Sequence, residues 1–388
     1  MKKILFSAMV FVAATLSLVS CSRKSSSAGE TSARSVGTDK IRVAMVTDSG
    51  DITDQSFNQT TYTAAKAYCE AHGLDFIYYK PAGDSTADRV GSIDAAVQDK
   101  FNVIILPGFL FAEAIVETAE IYPDVIFIGL DVSEGDLLYS AEAQGKTGYK
   151  LSKNVFCAVY DEEISGFMAG YASVKEGYRH LGFLGGMAVP AVIRFGYGFV
   201  QGADKAAEEL GITDQVAVEY VYGGQFYGDQ QIKATMDVWY KNRGVQVVFT
   251  CGGGIWQSAA DAAKDAGGKV IGVDTDQSAQ INSYKPDMCV TSATKGLGAT
   301  VTACLAAIEA GKWSDYSGKV ESLGLVSPTN PELNYVQLPM DTWSMKNFTL
   351  SDYKQLVADI YNGKITVSDV IDRDPEVKIT FNKYPNIK

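Results

Sequence analysis

Asn102-Val103-Ile104-Ile105-Leu106, followed at once by Pro107-Gly108-Phe109, is a strand with apolar side chains at consecutive positions. A strand covered on one face alternates, whereas a continuous apolar run suits a parallel sheet packed under helices on both faces. Its neighbours obey the same grammar. Upstream lie a strand at 41–47, a helix at 56–72, a strand at 74–79 and a helix at 85–100 capped by Ser85 or Asp84; downstream, a helix at 111–121 and a strand at 125–130. Alternation at this spacing makes βαβ units with right-handed crossovers.

After a polar break at 140–153 the pattern restarts, with strands at 154–159, 180–184, 215–222, 245–250, 269–273 and 288–292. Helices are expected at 162–176, 192–210, 229–241, 255–266 and 296–310, with Gly196 and Gly198 as packing positions. The expected fold is α/β, two doubly wound lobes with a ligand cleft between them. The N-terminal lobe takes 40–153 plus 293–320, and the C-terminal lobe 154–292 plus 321–345. A polar, Pro-interrupted tail at 346–388 has no firm place.

The N-terminus has its own logic. Lys2 and Lys3 precede an apolar run at 4–19, short for a spanning helix but suited to a secretory signal. The run closes in Leu18-Val19-Ser20-Cys21, which resembles a bacterial lipobox. Residues 1–20 are therefore expected to be a signal peptide, with Cys21 carrying acyl chains at an extracytoplasmic membrane surface. Residues 21–39, rich in Ser, Gly and Thr, are expected to be a flexible tether. Removing Lys2 and Lys3 takes the formal charge from −12 to −14, an acidic balance that argues against nucleic acid as a partner. Of the five remaining cysteines, Cys69, Cys157, Cys251, Cys289 and Cys304, the last four lie among apolar or small residues and suit buried thiols better than a disulfide framework, although one bridge stays open.

In open α/β sheets the ligand crevice lies beyond the carboxyl ends of the strands. The residues there are Asp48 with Ser56-Phe57-Asn58, Pro107-Gly108-Phe109, Asp131, Gly185-Gly186-Met187, Gly224-Gln225-Phe226-Tyr227, Cys251-Gly252-Gly253-Gly254, Asp274-Thr275-Asp276 and Lys295. The glycine run at Gly252 permits close backbone approach or a tight turn, and is neither a dinucleotide fingerprint nor a Walker loop.

Val46-Thr47-Asp48 with Asp54-Gln55-Ser56-Phe57-Asn58-Gln59, Gly185-Gly186-Met187 with Val192-Ile193-Arg194-Phe195, Ile271-Gly272-Val273-Asp274-Thr275-Asp276-Gln277 and Thr291-Ser292-Ala293-Thr294-Lys295 together resemble the basic-membrane-protein group of bacterial ABC-transporter substrate-binding lipoproteins, purine nucleoside receptors among them. The likeness covers roughly 41–312. It implies a type I periplasmic-binding-protein fold, monomeric, closing on its ligand and serving a membrane permease with a cytoplasmic ATPase. It also implies that Phe57 and Phe226 sandwich a base, with Tyr227 the alternative to Phe226. Asp274, Asp131 and Lys295 would hold a ribose, and Asp48 and Asn58 the polar edges of the base. Each position also has a structural alternative: Phe57 in the core, Asp48 in a turn, Asn58 on a solvated helix face, Lys295 on the surface.

No cofactor is expected. His72 and His180 stand apart from any triad or zinc motif. The rival from the same residues is a calcium-dependent nucleoside hydrolase using Asp48, Asp51, Asp54 and Asp274 or Asp276. It lacks a paired Asp-Asp, since Gln55 follows Asp54. A surface adhesin without a small ligand is the third class.

Overall fold

The computed structural model describes residues 40–388; the expected signal peptide, Cys21 and tether lie outside the described residues. The chain runs β1 (Arg42–Val46), α1 (Phe57–His72), β2 (Asp75–Tyr79), α2 (Thr86–Gln98), β3 (Val103–Pro107), α3 (Phe111–Thr118), β4 (Ile126–Leu130), α4 (Glu134–Ala143) and β5 (Val155–Tyr160). There follow α5 (Glu162–Glu176), β6 (His180–Gly185), α6 (Pro190–Leu210), β7 (Ala217–Tyr222), α7 (Gln230–Val238), β8 (Val247–Cys251), α8 (Trp256–Ala266), β9 (Lys269–Asp274), α9 (Ser278–Tyr284) and β10 (Cys289–Lys295). Last come α10 (Leu297–Glu309), β11 (Lys319–Leu323), β12 (Val336–Gln337), α11 (Leu350–Tyr361) and β13 (Thr380–Lys383).

These strands form two sheets, ordered β11-β5-β4-β3-β1-β2 and β12-β10-β9-β8-β6-β7-β13. The short β12 runs antiparallel to β10. Side chains alternate across each strand, and in the central strands both faces are buried. In β1 and β3, Ala44, Val46, Ile104 and Leu106 pack toward α2 and α3, while Val43, Met45, Val103 and Ile105 pack toward α1 and α10. The second sheet repeats this, with Phe183 and Phe249 under α5 and α6, and Leu184 and Val248 under α7 and α8. That two-sided burial is why the strands are continuously apolar. Ser85, not Asp84, caps α2, in a capping box with Asp88.

The division between lobes differs from expectation. β5 pairs with β4 in the first sheet, so by sheet membership the chain leaves that lobe after Tyr160 and not at 153/154. β11 also joins the first sheet, beside β5, and β10 belongs to the second sheet through Lys295. The polar stretch at 140–153 includes the end of α4, which begins at a capping box of Ser133 and Asp136. The 346–388 segment is an integral part of the second lobe: α11 packs Tyr353, Leu356 and Val357 into its core and β13 pairs with β7. Glu176 anchors it by accepting the backbone N–H groups of Lys346, Asn347 and Phe348. Local sequence pattern cannot say which sheet an apolar strand joins.

Helices α5 and α6 cross at backbone contact. A Cβ on Gly166 or Gly170 would stand 2.1 or 2.0 Å from the Phe195 or Phe199 carbonyl oxygen, and one on Gly198 or Gly202 2.0 or 1.9 Å from those of Glu163 or Phe167. The expected packing role of Gly198 holds, and Gly196 is closed off by Tyr220 and Phe183. Gly202→Ala should therefore destabilise the protein by about 1–3 kcal/mol, the usual cost of overpacking. An unchanged urea midpoint would contradict this.

Among the described residues Cys69, Cys157, Cys251, Cys289 and Cys304 are buried and unpaired, and no helix is long and apolar enough to cross a membrane.

Candidate functional site

The carboxyl ends of β1, β3 and β4 in one sheet and of β6, β8, β9 and β10 in the other border a common cavity of about 750 Å³, counting its open mouth. Asp48, Phe57, Asn58, Asp131, Phe226, Gly252, Asp274 and Lys295 all line it. The strand-end rule thus names these eight residues of one cavity, while others it selected, among them Gln225, Tyr227, Thr275 and Asp276, do not border it.

Phe57 is the first residue of α1 and half-buried; Phe226 follows β7 in the other lobe. The Phe226 ring fills a slot floored by glycine. A Cβ on Gly186 or Gly252 would meet it at 2.4 or 2.8 Å, and Gly252 sits at φ 138°. The neighbouring Tyr227 is 64% exposed and does not border the cavity.

The loop between β1 and α1 is organised by Asp54. Its carboxylate accepts the backbone N–H groups of Ser56, Asn58 and Gln59 at 2.9, 2.8 and 3.0 Å, satisfying the free donors at the start of α1. Asn58 is buried, and its amide donates to Asp48 Oδ1 at 2.9 Å and Asp54 Oδ2 at 3.1 Å. With both donors committed, Asn58 orients Asp48 and has none left for a base edge, a departure from the role implied for it. Burial pushes the Asp48 carboxyl up to about 6, against the Gly50 N–H and the Asn58 amide.

Asp131 directly follows β4 and Asp274 ends β9, corresponding places in the two lobes, and both adopt left-handed backbone, φ 60° and 65°. Strain of this kind in non-glycine residues gathers at ligand sites. Lys295 lies between them, its side chain 2% exposed, with Nζ 2.5 Å from Asp131 Oδ2, 3.3 Å from Glu162 Oε1 and 4.0 Å from Asp274 Oδ1. The same ammonium stands 4.8 Å from the Phe57 ring centroid and 5.4 Å from that of Tyr160. Burial alone would lower the Lys295 value, but Asp131, Glu162 and Asp274 outweigh it and raise it. Burial also raises Asp131, with Lys295 opposing, and lifts Asp274 to about 6 against Lys295 and the Ser56 hydroxyl. Asp131 Oδ1 is buried and has no hydrogen-bond partner.

Direct bonds join the lobes across this gap. Ser56 Oγ donates to Asp274 Oδ2 at 2.5 Å, and Gln277 Nε2 donates to the Gln55 carbonyl at 2.8 Å. Sequence reasoning missed Glu162, fully buried and paired with Arg194 at 2.6 Å. The strand-end rule applied to β5 points straight to it. Ser56, at the start of α1, caps nothing with its hydroxyl, which goes to the other lobe instead.

Asp48 and Asp274 of the calcium rival border the cavity, but its other acids are engaged elsewhere. Asp51 pairs with Lys80 at 2.6 Å, Asp54 serves α1, and Asp276 accepts from Thr342 at 2.7 Å. Among the described residues no group of three or more His, Cys, Asp or Glu is placed to hold a metal. His72 pairs with Glu309 and His180 with Glu219, both away from the cavity.

Two parallel α/β sheets with a ligand-sized cavity at their facing carboxyl ends define a type I periplasmic-binding-protein fold. Solute-binding proteins of ABC transporters from Aeropyrum pernix and Conexibacter woesei superpose with a TM-score of 0.64 each, at 21% and 20% identity. These matches cover 84% and 85% of this chain and 87% and 99% of theirs. The family model of PnrA-like ABC transporter substrate-binding proteins matches residues 41–325, and the chain belongs to that family. A relative in Lactococcus lactis, the ABC transporter nucleoside-binding protein BmpA, is 26% identical over 94% of this chain and 99% of its own length.

Proposed function

We propose that this chain captures a purine nucleoside in the cavity, uncleaved, and hands it to an ABC permease driven by a cytoplasmic ATPase. In this reading Cys21 carries the lipid that keeps the receptor at the extracytoplasmic face of the cell membrane. The name of the Lactococcus relative, a nucleoside-binding protein, supports it. The observation that carries the proposal is chemical. Two phenyl rings from opposite lobes border one cavity together with buried carboxylates, and one carboxylate oxygen, Asp131 Oδ1, has no partner.

A nucleoside answers each feature. Its base is flat and would stack between Phe57 and Phe226. Its sugar hydroxyls are donors that Asp131 and Asp274 can accept in charge-assisted bonds. Lys295 would donate to a sugar oxygen while balancing the acids, and Asp48, aimed by Asn58, would accept from the base edge. Glycine at 252 lets Phe226 close on the base.

The direct test is native mass spectrometry of gently purified protein, followed by calorimetry against nucleosides, free sugars and amino acids. A bound purine nucleoside is expected. Retention of a different solute, with no nucleoside affinity, would overturn the ligand; absence of a melting shift with any solute would favour an adhesin.

The acids also set a pH dependence. A hydroxyl donor prefers the ionised carboxylate, and Asp48 and Asp274 are lifted to about 6. Affinity should therefore rise as pH goes from about 5 to about 7. In the unliganded protein the sign reverses. The folded state keeps protons that an ordinary Asp has released, so the stability contribution of these two groups falls between pH ~4 and ~6. A flat affinity across that window would remove Asp48 and Asp274 from ligand contact.

A further inference from the structure

We propose that Lys388, at the far end of the segment following the family match, is a positioning residue that fixes the loop bearing Phe226 against the cavity. The consequence for ligand binding rests on the nucleoside reading; the ordering of the loop does not.

The path is short. β13 lies parallel to β7, pairing Thr380 to Lys383 with Ala217 to Tyr220. Beyond it the segment stays on the same strand, the Tyr384 N–H donating to the Tyr220 carbonyl at 2.9 Å and that of Ile387 to Tyr222 at 2.9 Å. Tyr222 ends β7, and the next residues are Gly223-Gly224-Gln225-Phe226. The segment therefore delivers Lys388 to the loop as it leaves the sheet.

There the lysine ammonium donates to Gln225 Oε1 at 2.9 Å and to Asp229 Oδ2. Gln225 Nε2 in turn donates to the Tyr227 carbonyl at 2.9 Å and Asp229 Oδ2 at 3.0 Å. Asp229 Oδ1 caps α7 by accepting the Ile232 N–H at 2.9 Å. Lys388 thus joins Gln225 and Asp229, which flank Phe226 and Tyr227 in the chain, and ties them to the start of α7. On the inner side the Phe226 carbonyl accepts the Gly254 N–H at 2.8 Å, and the ring lies in its Gly186–Gly252 slot. A partly exposed ion pair contributes little to global stability. Its effect here is local: without it Gln225 and Asp229 lose their shared cation and the outer side of the loop is released. Of Gln225, Phe226, Tyr227, Asp229 and Lys388, Phe226 alone lines the cavity, so the effect must pass through that ring.

The experiment compares the full chain with Lys388→Ala and Lys388→Arg. Hydrogen exchange at the amides of 224–228 is followed without ligand, and adenosine, guanosine and inosine are titrated by calorimetry. Lys388→Ala should exchange faster at those amides and bind the nucleosides about fivefold more weakly, the upper end for one partly exposed pair. The melting temperature should not change, and Lys388→Arg should restore both readouts. Faster exchange in Lys388→Ala, confined to the loop, in a protein whose parent binds none of the nucleosides, would support the clamp and refute the nucleoside reading. Unchanged exchange overturns the clamp, and so does loosening spread along β7 and β13 with a lowered melting temperature.

Discussion

Lys295→Met should lose about 3–5 kcal/mol of stability near neutral pH, the cost of removing one partner from a buried ion network. The methionine nearly matches the lysine in length, so little volume is lost. Charge is what changes. Asp131, Glu162 and Asp274 converge on the Lys295 ammonium within 2.5–4.0 Å, and Arg194, bonded to Glu162, is left to offset them. Asp131 and Asp274, already raised by burial with Lys295 opposing, would rise further. A carboxyl whose folded value lies above its unfolded one imposes its penalty above that value and sheds it as protonation proceeds. The deficit of Lys295→Met relative to the parent should therefore shrink as pH falls toward ~4. Urea melts across pH measure this. A deficit that stays constant with pH would mean that lost packing, not uncompensated charge, accounts for the change.

Phe57→Ala and Phe226→Ala should each weaken purine nucleoside binding by about 1–3 kcal/mol, the range for loss of an aromatic stacked on a base. The expectation depends on both rings bordering one cavity from opposite lobes. The effects should differ in stability. Phe57 also packs against the buried core formed with α1 and α10, so its removal should lower the melting temperature as well. Phe226 touches its core only at the edge, between glycines. Phe→Leu variants separate the two contributions, keeping apolar volume while removing the ring face. Wild-type nucleoside affinity in either alanine variant would eliminate the sandwich.

A great deal of this was legible before any coordinates. Continuous apolar strands at βαβ spacing specify a parallel sheet buried on both faces, because no other arrangement covers such strands. The carboxyl ends of those strands then name the crevice, so Asp48, Asp131, Asp274 and Lys295 could be picked out by position alone. The resemblance assigned them tasks, and the geometry altered one of them: Asn58 spends its amide on Asp48 and Asp54.

What stayed hidden was long-range. Nothing local told β5 and β11 to pair with each other, because a strand buried on both faces fits either sheet equally well. The polarity of 346–388 concealed a helix and a strand, since an edge strand and a surface helix bury only part of their side chains. Glu162 looked like an ordinary acid opening a helix until Lys295 arrived from 133 residues away. Sequence by itself determined the chemistry available at each strand end. Tertiary structure alone decided which charges face one another, because burial and pairing depend on distances between segments that are remote along the chain.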